Sequence, residues 1–213
     1  MVSPPTRDRS HTPTGRTVQE RAHRTREAVL IAAAKVFERS GYVATRLEEI
    51  VVEAKVSKGA LYFHYPAKAD VARAVVEAHL GSWAELARQA NAMDMAELDR
   101  LGYLITEVAK TCQHNPINQA GIRLVNEYQF IDTELPTPFV GWVGQLSALL
   151  DRGKRDGTVA SSVRPEVEAR WLVGSFFGLQ DMSARLTNRR DLDERVSEWW
   201  QFVRPSLERP TGG

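Results

Sequence analysis

Between Arg21 and Val203 apolar residues recur every third or fourth position, and no stretch alternates apolar with polar residues as a half-buried strand would. That period dictates helices. Leu30, Ala33, Ala34 and Phe37 mark a helix from about Arg21 to Ser40, with Gly41 placed to stop it. Thr45-Arg-Leu-Glu48 has the pattern of a capping box and opens a second helix with Leu47, Ile50, Val51 and Ala54 on one face. Ser57 offers the N-cap of a third, very short helix from Lys58 to Phe63. A long fourth runs from Lys68 to about Gln89 with Val71, Val75, Ala78 and Leu86 inward. Further helices are predicted over 96–113, 117–128, 139–156, 166–186 and 192–203. Pro116, Pro138 and Pro165 fall at or near the first turns of three of them, where a missing N–H costs little. The fold class is therefore all-α, a small N-terminal bundle joined by a long helix to a larger one. The expected division is a disordered basic arm over 1–17, a helix-turn-helix domain over 18–66 and a C-terminal domain over 67–213.

Composition narrows the function classes. With 43% hydrophobic and 26% charged residues, a chain of 213 residues can bury a sizeable core. No apolar run approaches the roughly 18 to 20 residues that span a bilayer, and the N-terminus is rich in Pro, Thr and Arg, so a cytoplasmic chain with no membrane partner is expected. A single cysteine, Cys112, forms no internal disulfide. The net charge of +1 hides an asymmetry: residues 1–80 hold 13 Lys/Arg against 9 Asp/Glu, the remainder 15 against 18. Most of the excess precedes residue 27, where Arg7, Arg9, Arg16, Arg21, Arg24 and Arg26 face only Asp8 and Glu20. A basic arm leading into a helix suits phosphates, and a solvated tail accounts equally well for Arg7 and Arg9.

The stretch "VSKGALYFHYPAKADV" gives that charge a purpose. A helix from Thr45, a turn through Lys55 and Val56, and a short helix from Ser57 make a helix-turn-helix, whose second helix can enter a DNA major groove. At its first turn Gly59 and Ala60 let the backbone come close to bases, and Lys58 reaches a guanine edge or a phosphate. Leu61 faces the bundle. Tyr62 and His64 suit flanking phosphates, and Lys68 adds a positive charge at the next helix start. Arg24, Thr45 and Arg46 complete the candidate DNA-binding set. From the residues alone, Phe63 is placed in the small core and Tyr62 at the phosphate.

The run "TREAVLIAAAKVFERSGYVATRLEEIVVEAKVSKGALYFHYPAKADV" resembles the DNA-binding domain of TetR-family transcriptional repressors, and "KGALYFHY" is similar to its most recognisable segment. "AGIRLVNE", "PTPFVGW" and "VGSFFGLQDMS" resemble, within that family, the γ-butyrolactone autoregulator receptors of actinomycetes and the related furan and butenolide receptors. The resemblance implies a homodimer on a double-stranded operator, an inverted repeat, released by a small-molecule inducer, with no cofactor or metal. It places DNA contacts on Ser57, Lys58, Gly59, Tyr62, Phe63 and His64, a pocket tryptophan on Trp142 and the pocket's small polar group on Ser175. Leu80, Trp83, Val125, Phe139 and Gln180 complete the expected ligand-binding set. The chain departs from the family pattern at Lys55, where Gly is common, and at Ala67, where Ser or Asn often caps a helix. A pseudo-receptor or drug-responsive repressor is the alternative within the family.

In the C-terminal part, "RWLVGSFFGLQ" is apolar nearly all round and must be buried by its own domain or by a partner. Trp171, Trp199, Trp200 and Phe202 are assigned to an interface with a second subunit, and Phe177 is placed there too. Trp142 lies three residues after Phe139 and four before Leu146, on the inner stripe of its helix, which fits core and pocket wall alike. An enzyme is the rival class. Cys112 lies near His114, and Asp181 near a buried helix, but there is no nucleophile elbow, no metal-spaced ligand pair and no glycine-rich phosphate loop.

Overall fold

The computed structural model describes residues 15–136 and 139–209. Its helices are α1 (Gly15–Ala44), α2 (Leu47–Ala54), α3 (Lys58–His64), α4 (Lys68–Asn91), α5 (Glu97–His114), α6 (Pro116–Asn126), α7 (Val140–Asp156), α8 (Pro165–Thr187) and α9 (Leu192–Leu207), with a 3-10 turn over Tyr128–Phe130. Among the described residues the sole β-type pairing is an isolated bridge between Val159 and Glu208. None of these helices is long and apolar enough to cross a membrane. Residues 15–17, assigned to the arm from sequence, already belong to α1; residues 1–14 and Pro138 lie outside the described residues.

Local chemistry accounts for the breaks between α1 and α4. Gly41 takes φ 75°, ψ 175°, and the Thr45 hydroxyl donates to its carbonyl at 2.6 Å. Because Thr45 is spent closing α1, the capping box predicted at Thr45–Glu48 sits one residue later. The Arg46 N–H donates to Glu49 Oε2 at 3.0 Å. Helix α2 ends at Lys55, held left-handed at φ 54°, ψ 39°, where its N–H reaches Val52 O and that of Val56 reaches Val51 O. Ser57 Oγ accepts from the Ala60 N–H at 3.1 Å and caps α3. At the start of α4 the Ala67 N–H donates to Asp70 Oδ2 at 3.1 Å, but Ala67 has no side-chain acceptor to return.

Both departures from the family pattern therefore lower stability. Lys55→Gly is expected to raise it by about 0.5 to 1 kcal/mol by relieving a left-handed side chain, and Ala67→Ser by up to about 1 kcal/mol through an added cap. Thermal melts of the full chain check both, and an unchanged melting temperature in either variant contradicts the corresponding account.

Two cores share α4. The head core takes Val29, Val36 and Phe37 from α1, Ile50 from α2, Leu61 from α3, Val71 and Val75 from α4, and Ala120 and Leu124 from α6. The C-terminal core begins on the same helix at Trp83 and Ala87 and continues through α5, α7, α8 and α9. On α4 the buried residue in the third inward position is His79, where the sequence suggested its half-buried neighbour Ala78. Trp199 and Trp200, expected at a subunit seam, are half-buried against the C-terminal core, Trp200 lying over Gly102, where any side chain would collide with its indole.

Candidate DNA-binding head and ligand cavity

Helix α3 is anchored by fully buried Leu61 and nearly buried Tyr65, so its other face turns outward. That face carries Lys58, Gly59, Tyr62 and Phe63, with half-buried Ala60 and His64 at its margins. Phe63 is 79% exposed, which overturns its placement in the small core; Tyr65 fills that position. A Cβ at Gly59 would meet nothing within 4 Å, so the fold itself does not require glycine there. Phe63 stands edge-on to His64 at 5.1 Å between ring centres. Arg24 and Arg46 are exposed. Lys58 Nζ sits 3.0 Å from Glu48 Oε1 and 5.7 Å from the Tyr62 ring centre. The bond from Lys58 is the main cause holding the Glu48 carboxyl below its ordinary pKa, and the same bond holds the Lys58 ammonium above its own.

Two residues placed on DNA from sequence have other partners. Thr45 is buried on the Gly41 carbonyl. The Lys68 ammonium donates to the carbonyls of Tyr42 at 2.7 Å, Thr45 at 3.0 Å and Val43 at 3.4 Å, over the Tyr42 ring. Its donors close the α1–α2 corner, and burial lowers its pKa. Neither side chain is free for a phosphate, because each satisfies carbonyls released where α1 breaks.

Behind this corner lies a polar joint that sequence reasoning missed. Glu127, just past α6, accepts the Tyr42 N–H at 2.6 Å and the Arg123 Nε–H at 3.0 Å. Arg123 also donates to the Glu38 carbonyl at 2.6 Å, and Arg189, between α8 and α9, reaches the Glu38 carboxylate at 3.1 Å. The end of α1 is thus strapped to the C-terminal part from two directions. No local pattern could reveal it, since Tyr42 and Glu127 are 85 residues apart.

In the C-terminal part a narrow cavity opens between α5, α7 and α8, with about 20 Å³ of space inside, room for little more than a water molecule. Its walls are apolar and include Ile105, Val108, Trp142, Leu146, Phe176 and Phe177. Phe177, expected at a seam, is therefore a cavity wall. Trp83 meets Trp142 edge-on at 4.9 Å, and Phe139 meets Phe177 at 4.7 Å. Of the expected set the lining itself holds Trp142, with Trp83 and Phe139 packed behind it against Trp142 and Phe177. The structure does not bring the others to this cavity. Leu80 and Val125 pack against the head core, Ser175 stands half-buried outside the lining, and Gln180 lines a separate polar cleft with Arg123 and Arg189. Gln180 lies one helical turn beyond Phe176 and Phe177, on the same side of α8 but further along it, where it meets Arg123 and Arg189 instead of the apolar walls. Cys112 is buried with its thiol pKa pushed up to about 12, chiefly by desolvation, which leaves it unsuited to nucleophilic work.

A third feature is the exposed apolar surface of α8 and α9. Trp171 is 71% and Phe202 84% exposed, and Gly174 and Gly178 have open space where a Cβ would stand.

Comparison with known proteins agrees with this arrangement. Residues 29–75 match the profile of bacterial regulatory proteins of the tetR family, and residues 95–207 that of a tetracyclin repressor-like C-terminal domain. The A-factor receptor protein of Streptomyces griseus is 33% identical over 192 residues, covering 90% of this chain and 67% of the relative. A gamma-butyrolactone receptor described as ArpA-like superposes with a TM-score of 0.75 at 31% identity, covering 91% of this chain and 92% of that one. CprB from Streptomyces coelicolor, in complex with its biological operator sequence, gives a TM-score of 0.79 at 32% identity, covering 90% and 91%. The two profiles cover the head and the C-terminal part in turn, the relative extends over nine-tenths of the chain, and this chain belongs to the TetR family of bacterial regulatory proteins.

Proposed function

We propose that this protein is a ligand-responsive repressor that binds an inverted-repeat operator as a homodimer and releases it when a small autoregulator of the butyrolactone, butenolide or furan type enters the C-terminal cavity. The observation that carries this reading is an aromatic cavity lined by Trp142 and Phe177, remote from an exposed α3, in a chain similar over nine-tenths of its length to an A-factor receptor. Two flat indole or phenyl faces offer a small ring large apolar contact, and the ligand makes its room by parting these rings, since the closed cavity holds little more than a water molecule. The exposed α8–α9 surface supplies the dimer contact, with Trp171 and Phe202 as anchors and Gly174 and Gly178 admitting close approach of a second helix.

Release requires that the ligand bind the detached conformation better than the DNA-bound one. Helix α4 is the connection, because one helix contributes Val71 and Val75 to the head core and Trp83 to the domain that holds the cavity. A ligand that displaces Trp142 moves the ring packed on Trp83. Operator DNA selected from a random library by the purified protein, followed by gel shifts with a γ-butyrolactone, tests the reading. Release at micromolar lactone supports it, and retention of DNA at every concentration refutes it. Trp142→Ala is expected to keep operator binding near normal and to abolish release, whereas a purely structural tryptophan would destabilise the fold by about 3 to 5 kcal/mol and impair both.

Lys58→Ala tests the DNA face. To reach DNA, Lys58 must exchange Glu48 for a base or phosphate, and both side chains are exposed, so the exchange is cheap. Loss of operator affinity by about 1 to 3 kcal/mol, concentrated on the selected sequence, is expected if Lys58 reads a base; an even loss on scrambled DNA marks a phosphate contact. Unchanged binding to both removes Lys58 from the interface.

A further inference from the structure

Beside the cavity, between α4 and α6, lies a buried polar cluster in a largely apolar neighbourhood. His79 is 2% exposed and Asn118 fully buried. His79 Nδ1 and Ser82 Oγ lie 2.7 and 2.8 Å from the same end of the Asn118 amide, and the Ser82 hydroxyl lies 2.7 Å from the His79 carbonyl as well. The other end of the amide is buried and has no partner. With the amide oxygen toward Ser82, the one hydroxyl proton is shared between two acceptors; turned half a revolution, the amide nitrogen donates to Ser82 Oγ and His79 Nδ1 and the unmatched far end becomes an acceptor. Next to it, the His79 ring stands 4.0 Å from the Trp83 ring, and Trp83 Nε1 is a buried donor without a partner whichever way the amide is turned. A buried polar group left unmatched costs about 1 to 3 kcal/mol, so two in one cluster call for an explanation. The cluster is also tightly set, because any side chain at Gly121 would run into the His79 ring.

The rings connect this cluster to the cavity. Trp83 lies against His79 on one side and against Trp142, a cavity wall, on the other. A ligand that parts Trp83 from Trp142 reaches the orphaned Trp83 N–H with one end and keeps its tail among Leu146, Phe176 and Phe177. Among the described residues no Lys or Arg is a hydrogen-bond or ring partner of His79, Ser82, Trp83 or Asn118. Burial holds the imidazole neutral, its pKa pushed down to about 4, against a smaller opposing pull from Asn118. A carboxylate placed here would be buried without a counter-charge, which is strongly unfavourable; a neutral oxygen would gain the missing bond without that penalty.

We infer that Trp83 Nε1 forms the polar end of the ligand site and receives an uncharged oxygen acceptor, such as a lactone carbonyl, in preference to a carboxylate. This rests on the cavity being the inducer site, as proposed above. It deepens that reading by separating lactones from furan carboxylates, two chemistries that apolar walls alone accept equally.

The test uses the full-length protein and titration calorimetry with three compounds sharing one alkyl chain: a γ-butyrolactone, a furan carboxylate and a cyclopentane lacking oxygen. The wild type is expected to bind the lactone at least about a hundredfold more tightly than the carboxylate. Trp83→Phe, which keeps an aromatic ring and removes the N–H, is expected to weaken the lactone about tenfold and to leave the cyclopentane unchanged. Operator binding and a melting curve confirm that the variant is folded. Equal affinity of the wild type for lactone and carboxylate overturns the inference while leaving the receptor reading intact. Parallel weakening of lactone and cyclopentane in Trp83→Phe does the same, since it marks lost packing. Failure of all three compounds to bind overturns the receptor reading and this inference together.

Discussion

Phe202→Glu is expected to convert the protein to a monomer and to lower operator affinity by about three orders of magnitude or more. Phe202 is 84% exposed on α9, and Trp171, 71% exposed, lies on the adjoining α8. Water tolerates single exposed aromatics, but a bare tryptophan on α8, followed on that helix by Gly174 and Gly178, and a bare phenylalanine on α9 suit a surface covered by a second subunit. A carboxylate in the middle of a helix–helix seam would be desolvated without a partner, at a cost of several kcal/mol per subunit, and the two-fold symmetry of a dimer applies that cost twice. DNA binding fails with it. On the proposed inverted-repeat operator two α3 helices enter major grooves about 34 Å apart, or a multiple of that, and a single head of this size makes too few base contacts for a specific affinity in the nanomolar range. In the separated chain the substitution itself is nearly harmless, because an exposed position usually changes stability by less than about 0.5 kcal/mol. Sedimentation velocity and gel shifts measure both effects. A variant that stays dimeric and holds the operator normally would place the seam elsewhere.

Glu127→Ala is expected to lower stability by about 2 to 4 kcal/mol and to leave a protein whose DNA binding answers more weakly to ligand. The carboxylate accepts the Tyr42 N–H at 2.6 Å and Arg123 Nε at 3.0 Å. Each is a charge-assisted bond, and removing the acceptor strands a backbone donor at the kink after Gly41 and a guanidinium in a part-buried joint. A change of that size in a chain of this length lowers the melting temperature by roughly 5 to 15 °C. The functional half follows from position. The joint fastens the end of α1 to α6, which packs in the head core at Ala120 and Leu124 and in the C-terminal core at Ile122, so its loss slackens one of the straps between head and cavity while Arg189 keeps its hold on Glu38. Glu127→Gln keeps the shape and an acceptor for Tyr42 while weakening the pair with Arg123, and is expected to fall between wild type and Ala in both measurements. A Glu127→Ala protein that melts normally would show the joint to be incidental.

The helix pattern was legible in the sequence because its determinants are local. The spacing of Leu30, Ala33 and Phe37, the cap at Ser57 and the stop at Gly41 act within one or two turns, and each appears where the spacing placed it. The outward face of α3 was mostly legible too, since Leu61 as its anchor leaves Lys58, Gly59 and Tyr62 on the far side. Errors began where a residue had competing partners. Thr45 could cap α2 or close α1, and the nearby Gly41 carbonyl won; Lys68 could meet a phosphate or three free carbonyls, and the carbonyls won. Phe63 and Tyr65 are equally aromatic and only two positions apart, and the angle at which a seven-residue helix docks decides which ring is buried.

Residue types and their spacing were enough to establish an all-α chain with a helix-turn-helix near its N-terminus, because hydrogen bonding within a helix and the burial of one stripe involve neighbours a few positions away. Which aromatic rings form a cavity, which remain bare for a second subunit, and which charges strap the head to the rest depended on tertiary packing. Trp83 meets Trp142, Tyr42 meets Glu127, and His79 meets Asn118 across loops of 39 to 85 residues. Apolar periodicity marks all such side chains alike as inward-facing, and only the docking of one helix on another selects the side chain that each one touches.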